Sequence, residues 1–452
     1  AINPVTAANG QADGTFAASG CSGDDVVTAT ASVSGSVLTA TGTITVAAAS
    51  VGSIQFISAT PELIGLQGTG GLGISETSRV IFRVVDSTGG PVAGSDVDFA
   101  LSTTVGGISL TPVTATSGAN GDVQTVVTSG TVATSVRVSA NVVGAVPAIG
   151  TQSSLLNVST GIPHQAAFSL SVETCNIEAF IIDGVVDPVT VILSDRFQNP
   201  VPDGTAVAFN AEGGSIVSQC TTIGGTCTVD WVSANPRPLG PAGPPGPVVQ
   251  TGRVTVLATA IGEESFGDLN SNGKFDTGEP FDDLEEPFRD DNESFIYEEG
   301  MDGFFLDFFT NGAHDPADGD YSGLECNAGA VCAASSTLGI GGEVVIVMAT
   351  SALLLPPSVP PPLVGTGSVT FLVTDLNGNA PPAGTVIKVD TITNGTVVGP
   401  NSWTVPDICA PGPYAATFSI EGDPAVPPTG TLFVEATVPS GLTTRTSYAV
   451  ND

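Results

Sequence analysis

Three observations predict an all-β chain of tandem sandwiches. Apolar residues alternate with polar ones over short runs, Gly (56) and Pro (33) interrupt those runs, and one pattern of strand, aspartate turn, proline and strand recurs three times. At 452 residues several separate cores are expected, three or four at ordinary domain sizes. Charged residues make up only 12 % of the chain, which suits frequent turns and few long helices.

The recurring pattern is carried by "FRVVDSTGGPVAGSDVDFAL" (82–101), "VILSDRFQNPVPDGTAVAFNA" (191–211) and "FLVTDLNGNAPPAGTVIKVD" (371–390). In each, an aspartate (Asp86, Asp195, Asp375) can bond turn amides, and Gly or Asn supplies positive φ. Pro91, Pro200 and Pro381 fall where no ladder donor is needed. A second half, "TATSGANGDVQTVVTSGTVATSVRVSANV" (114–142), turns at Asn120-Gly121 and continues as two alternating strands. Strands at this spacing with no helix-period segment between them read as immunoglobulin-like β-sandwiches. The pattern resembles the bacterial immunoglobulin-like domains of the invasin and intimin type. That resemblance covers most of the chain outside one acidic segment, and implies tandem modules of surface adhesins and other extracellular fibres. Such sandwiches host many functions, so it speaks for fold more than for activity.

The expected organisation is a partial sandwich over residues 1–49 and full sandwiches over 50–160, 161–350 and 351–452, the middle one carrying an acidic insert at 263–325. Residues 6–46 match only the second half of the repeat, with Asn9-Gly10 in the place of Asn120-Gly121. Three readings stay open: a small atypical domain, an end cut from a longer chain, or a half completed by strands of a neighbouring copy in a head-to-tail filament. Two Pro-rich stretches punctuate the rest. Residues 236–249 read as a solvated polyproline loop, and residues 353–365 as a stiff linker or an extended strand crossing a domain or subunit boundary.

The insert carries the chemistry. Of the 45 acids, 20 lie between Glu263 and Glu325, opposed there only by Lys274 and Arg289. Within "GDLNSNGKFDTGE" (267–279), Asp268 as position one puts Asn270, Asn272, Gly273, the Lys274 carbonyl, Asp276 and Glu279 at positions three, five, six, seven, nine and twelve. That is the oxygen spacing of a calcium-binding loop, glycine turn included. Strand-like sequence leads in and Pro280 follows at once, so the loop resembles the isolated calcium loops of dockerins and thrombospondin-type repeats rather than a helix-flanked sensor. Asp282, Asp283, Asp290, Asp291, Glu293, Asp302, Asp315, Asp318 and Asp320 continue the acidic series, with Asp307 among them. Without cations this density of like charge would force the segment open. Interleaved aromatics (Phe281, Phe288, Phe295, Tyr297, Phe304, Phe305, Phe308, Phe309) predict instead a small core around two or more calcium ions.

The formal net charge of −35 excludes a nucleic-acid partner, which needs a basic footprint. The longest apolar run, "VVIVMATSALLL" (344–355), is too short to span a bilayer, and the chain reads as a processed, soluble form without a transmembrane segment. Cys220 with Cys227 and Cys326 with Cys332 close small loops that suit disulfides, pointing to an extracellular or cell-surface location. In a hairpin, Cys220 and Cys227 would face one another across the two strands. Cys21, Cys175 and Cys409 are left as an odd set, open to an intermolecular bridge. There is no GxSxG elbow, HExxH or phosphate loop, and the two histidines, His164 and His314, read more readily as turn and surface residues than as ligands. The sequence thus predicts a non-enzymatic, calcium-stabilised surface protein that assembles with copies of itself. The alternative is an adhesin stalk or calcium-dependent module that binds a surface glycan or protein.

Overall fold

The computed structural model describes residues 9–16, 23–47, 50–68, 74–240, 251–327, 329–361, 363–423 and 429–451. Cys21 and most of the proline-rich stretch after Pro236 lie outside them. The chain divides into two compact units, residues 1–161 and 162–452. Helix among the described residues is confined to two single 3-10 turns, Val105–Gly107 and Gln165–Ala167, and no helix is long and apolar enough to cross a membrane.

The first unit holds a hairpin and one sandwich. In the hairpin, Gly23–Val33 pairs with Ser36–Val46 over eleven residues through a two-residue turn at Ser34 and Gly35, both at positive φ, as a twisted ribbon requires. Its register puts Val27, Ala29, Ala31, Val33, Leu38, Ala40 and Ile44 on one face and a threonine row on the other. Most of both faces is exposed.

The sandwich that follows packs the sheet formed by Ser53–Thr60, Thr77–Val85, Asp122–Thr128 and Ser109–Thr111 against one formed by Thr114–Thr116, Asp96–Leu101, Val138–Val142 and Gly150–Gln152. Phe82 and Phe99, one from each sheet, stack at 5.8 Å in a core of Val, Ile and Leu. Alternation along Thr77–Val85 places every second side chain there.

The second unit holds two more sandwiches. One joins Phe168–Val172, Val186–Leu193, Thr226–Val232 and Ser215–Ile216 to a five-stranded sheet built on Arg253–Gly262 and Leu338–Ala349. Trp231, fully buried, fills its centre and donates its indole N–H to the Gly213 carbonyl at 2.9 Å. The other is built on Gly367–Asp375 and Tyr414–Gly422 facing Val386–Ile392, Thr429–Thr437 and Thr443–Asn451, around Phe371, Phe418 and Leu432. The three repeat aspartates do what the sequence assigns them. Asp86 accepts from the Thr88 and Gly90 amides, Asp195 from Phe197 and Asn199, and Asp375 from Asn377 and Asn379.

Three findings refine the sequence reading. The proline-rich segment 353–365 stays within the last sandwich, where Leu353–Leu354 edges one sheet and Leu363–Val364 runs parallel to Thr443–Asn451 in the other. Cys220 and Cys227 are bonded, but their strands belong to opposite sheets, so the bridge staples sheet to sheet instead of spanning a hairpin. Cys175 and Cys409 pair with each other across 234 residues, joining the two sandwiches of the second unit within one chain.

Candidate metal centre

The acidic insert is the connection between Arg253–Gly262 and Leu338–Ala349, which pair continuously from Arg253↔Val347 out to Gly262↔Leu338. Residues 263–337 therefore grow from the end of a ten-residue ladder that is buried along most of its length. At its base Arg196, from the second repeat turn, forms a bidentate pair with the fully buried Glu263 and donates to the Gly273 carbonyl at 3.2 Å. Two aromatic clusters give the insert its core. Phe266, Phe275 and Phe281 surround the buried Tyr321, and Phe288 and Phe305 set their edges against His314, which stacks on Tyr297 at 4.0 Å. His314 is thus a packed ring rather than a surface residue, its Nε2 2.8 Å from the Glu286 carbonyl. Phe295, expected in the core, is 88 % exposed.

The loop at Asp268 is closed by a specific lattice. Asp268 accepts the amides of Asn272 (3.2 Å) and Gly273 (2.8 Å), and Asn272 Oδ1 accepts that of Lys274. Glu279 bridges the loop, one oxygen accepting from Leu269 and the other from Asp276, each at 2.8 Å. Ser271 and Gly273 take positive φ. In position numbers, residue one holds the amides of five and six, and residue twelve holds those of two and nine.

The same lattice recurs twice in full and once in part. Asp290 accepts from Ser294 and Phe295, Glu293 and Phe295 take positive φ, and Asp302 bridges the amides of Asp291 and Glu298. Here the closing carboxylate comes one residue later and is one methylene shorter, and Phe295 stands at the glycine position. A third loop starts at Asp307, which accepts from Asn311 and Gly312, with Thr310 and Gly312 at positive φ. Its bridging carboxylate is Glu286, from an earlier segment, accepting from Phe308 (2.7 Å) and Asp315 (3.1 Å). The fourth is assembled from three segments. Asp283 accepts from Gly319, Asp318 from Asp320, and Glu264 bridges Leu284 (2.8 Å) and Ser322 (2.7 Å). Glu264, Glu286, Asn292, Glu298 and Asn311 thus join the predicted residues by geometry, beside Asp302, Asp307 and Asp315, which the sequence already named. Glu264 and Glu286 carry no local spacing signal; Asn292 and Ser294, two and four residues after Asp290, do.

Other predicted residues are engaged elsewhere. Asp291 pairs with Arg289 and Glu293 with Arg253; for Asp282 the bond is a backbone one, its amide donating to the Ser265 carbonyl.

The donor chemistry fits hard divalent cations such as calcium, which take carboxylate, amide and carbonyl oxygens. Among the described residues no three carboxylate, histidine or cysteine side chains converge closely enough to cage an ion by themselves. In the first loop the Asn270 and Asn272 amide groups both donate to Asp276 Oδ2, at 2.8 and 2.7 Å. Asn292 donates likewise to Glu298, and Asn311 to Asp315. A side-chain N–H therefore meets the position-nine carboxylate where a cation would otherwise balance it. A further bond, from Asn327 to Asp276 Oδ1 at 2.6 Å, leads those of Asn270 and Asn272 in lowering the pKa of Asp276. Burial pushes the other way elsewhere, raising Glu264 to about 7 and also raising Asp302. Buried carboxylates held by N–H donors without an adjacent base are poor as isolated anions and suited to a shared cation. Glu264, Glu286, Phe308 and Asp315 also line a 410 Å³ cavity between the third and fourth loops.

No protein-family model matches the chain, and no curated protein matches it. Solved structures similar to it include the Escherichia coli adhesin FdeC, at 16 % identity over 90 % of this chain and 99 % of that one, with a TM-score of 0.26. Invasin, described as a bacterial integrin-binding protein, is 15 % identical over 88 % of this chain and 60 % of its own, TM-score 0.23. The D0-D1 domain of intimin is 15 % identical over 46 % of this chain and 90 % of its own, TM-score 0.22. At these identities and scores the likeness says nothing of what the chain binds.

Proposed function

We propose that this chain is a non-enzymatic structural part of an extracellular or cell-surface protein, in which calcium ions taken up by four loops of the insert hold the second unit in its working form. The observation that carries this reading is the recurrence of one lattice, with residue one on amides five and six and a bridging carboxylate on amides two and nine, in three loops, and of its glycine-amide bond and carboxylate bridge in a fourth of different connectivity. Turn propensity explains a single Asx turn. It gives no reason for Glu286 and Glu264 to reach from other segments to close the same ring. Calcium would supply charge neutralisation there, while the chain orients the oxygens. Three disulfides suit an oxidising compartment. Equilibrium dialysis against calcium tests the reading. Three or four ions per chain at millimolar calcium are expected, and none bound would refute it.

A second reading, assembly with copies of the same chain, is favoured by the hairpin at Gly23–Val33 and Ser36–Val46, whose apolar face is exposed (Val33 56 %, Leu38 58 %, Ile44 38 %). A ribbon of that kind is stabilised when other strands cover it. Electron micrographs in millimolar calcium should show filaments repeating at about one chain length. Separate particles would leave an adhesin stalk, with a surface glycan or protein as its ligand.

A further inference from the structure

The second of the four loops also touches the joint between the two sandwiches of the second unit, through one arginine. Arg253 opens the ladder strand and is 4 % exposed. Its Nε and Nη2 donate to the two oxygens of Glu293 at 2.5 and 2.9 Å, and its Nη1 donates to the Cys409 carbonyl at 3.1 Å. Glu293 sits at position four of the second loop, where φ of +54° turns its side chain to the arginine. Cys409 belongs to the last sandwich and is bonded to Cys175 of the one before it. Beside that disulfide the fully buried Asn176 receives the Ile408 amide on its side chain and the Ala383 amide on its carbonyl. The loop is also seated on the ladder, since the Asp290 carbonyl accepts from Thr255 and its amide donates to Glu343.

A guanidinium buried at a joint needs its counter-charge, because an unpaired buried cation is strongly unfavourable. The insert, not either sandwich, supplies that counter-charge. We propose that the insert is a calcium-controlled lock on this joint: when the second loop is held closed, Glu293 fixes Arg253 against Cys409, and when the loop opens, the joint loosens while the disulfide keeps the sandwiches tethered. This rests on the calcium reading above. The disulfide limits separation, the Asn176 bonds set register, and the arginine makes the stiffness of the pair depend on an ion.

The test is amide hydrogen exchange at Ala383 and Ile408 in the full chain, with calcium binding measured separately by calorimetry. In the wild type, chelation should raise exchange at both amides at least tenfold, with amides of the first sandwich, such as Val80, unchanged. Arg253→Met should exchange fast with or without calcium while binding the same number of ions, since Arg253 is not a ligand. If calorimetry shows calcium bound and the two amides ignore both chelation and Arg253→Met, the lock is wrong and the calcium reading survives. If no calcium binds, that reading and the calcium-controlled lock both fall; Glu293→Gln then shows only whether Arg253 and Glu293 brace the joint without an ion.

Discussion

Glu286→Gln isolates a loop that no local motif would reveal. Glu286 is 4 % exposed, and its oxygens accept the amides of Phe308, Phe309 and Asp315. The substitution keeps the shape and one acceptor and removes the charge, so two effects are expected. Without calcium the chain loses charge-assisted hydrogen bonds, at about 1.5 to 3 kcal/mol. With calcium it also loses the linkage from one ion. Extracellular calcium loops bind at roughly 0.1 to 1 mM, and at ten times the dissociation constant each site stabilises the fold by about 1.4 kcal/mol. For four sites at the weak end of that range, 10 mM calcium should therefore give the wild type about 5 to 6 kcal/mol over chelator in the second unit, and Glu286→Gln about 4, with larger increments at tighter binding. Denaturant melts of both proteins with calcium and with chelator give the two increments, and their difference removes the calcium-independent cost. Dialysis should count one ion fewer. Equal increments and an unchanged count would mean that Glu286 is only a clamp and takes no part in holding an ion.

Two further outcomes are expected. Asp187 is 1 % exposed, with Oδ1 accepting from Thr174 at 3.1 Å and Oδ2 unpartnered, and burial raises its pKa to about 6. Because the folded value exceeds the unfolded one, its stability contribution is greatest below about pH 4 and is lost as pH rises to about 6; Asp187→Asn, in chelator, should exceed the wild type by about 3 kcal/mol at pH 7.5 and lose that advantage near pH 4. A pH-independent difference in urea melts would refute this. The Cys175–Cys409 bridge spans 234 residues and Cys220–Cys227 only 7; chain entropy alone gives about 5 kcal/mol for the first and about 2.5 for the second. Replacing the long-range pair by serines should cost the second unit about twice as much as replacing the short one, measured by denaturant melts, and a reversed order would show that native geometry outweighs loop closure.

The sequence by itself determined whatever is written within one short stretch. Alternation in Thr77–Val85 fixed which side chains meet in the core, Asp86, Asp195 and Asp375 announced their turns, and all the oxygens of the first calcium-like loop lie within thirteen consecutive residues. The second loop was half legible, its spacing hidden by Phe295 at the glycine position and by a closing acid displaced to Asp302. Only the tertiary structure decided the rest. Glu286 and Glu264 close loops that begin elsewhere in the chain, Cys175 finds Cys409, and Arg253 takes its counter-charge from Glu293 because the ladder carries these segments to one place. Periodicity and turn chemistry are local properties of a chain. A ring of donors closed by a distant carboxylate, or a cation buried between two domains, exists only once backbone pairing has fixed which distant residues are neighbours.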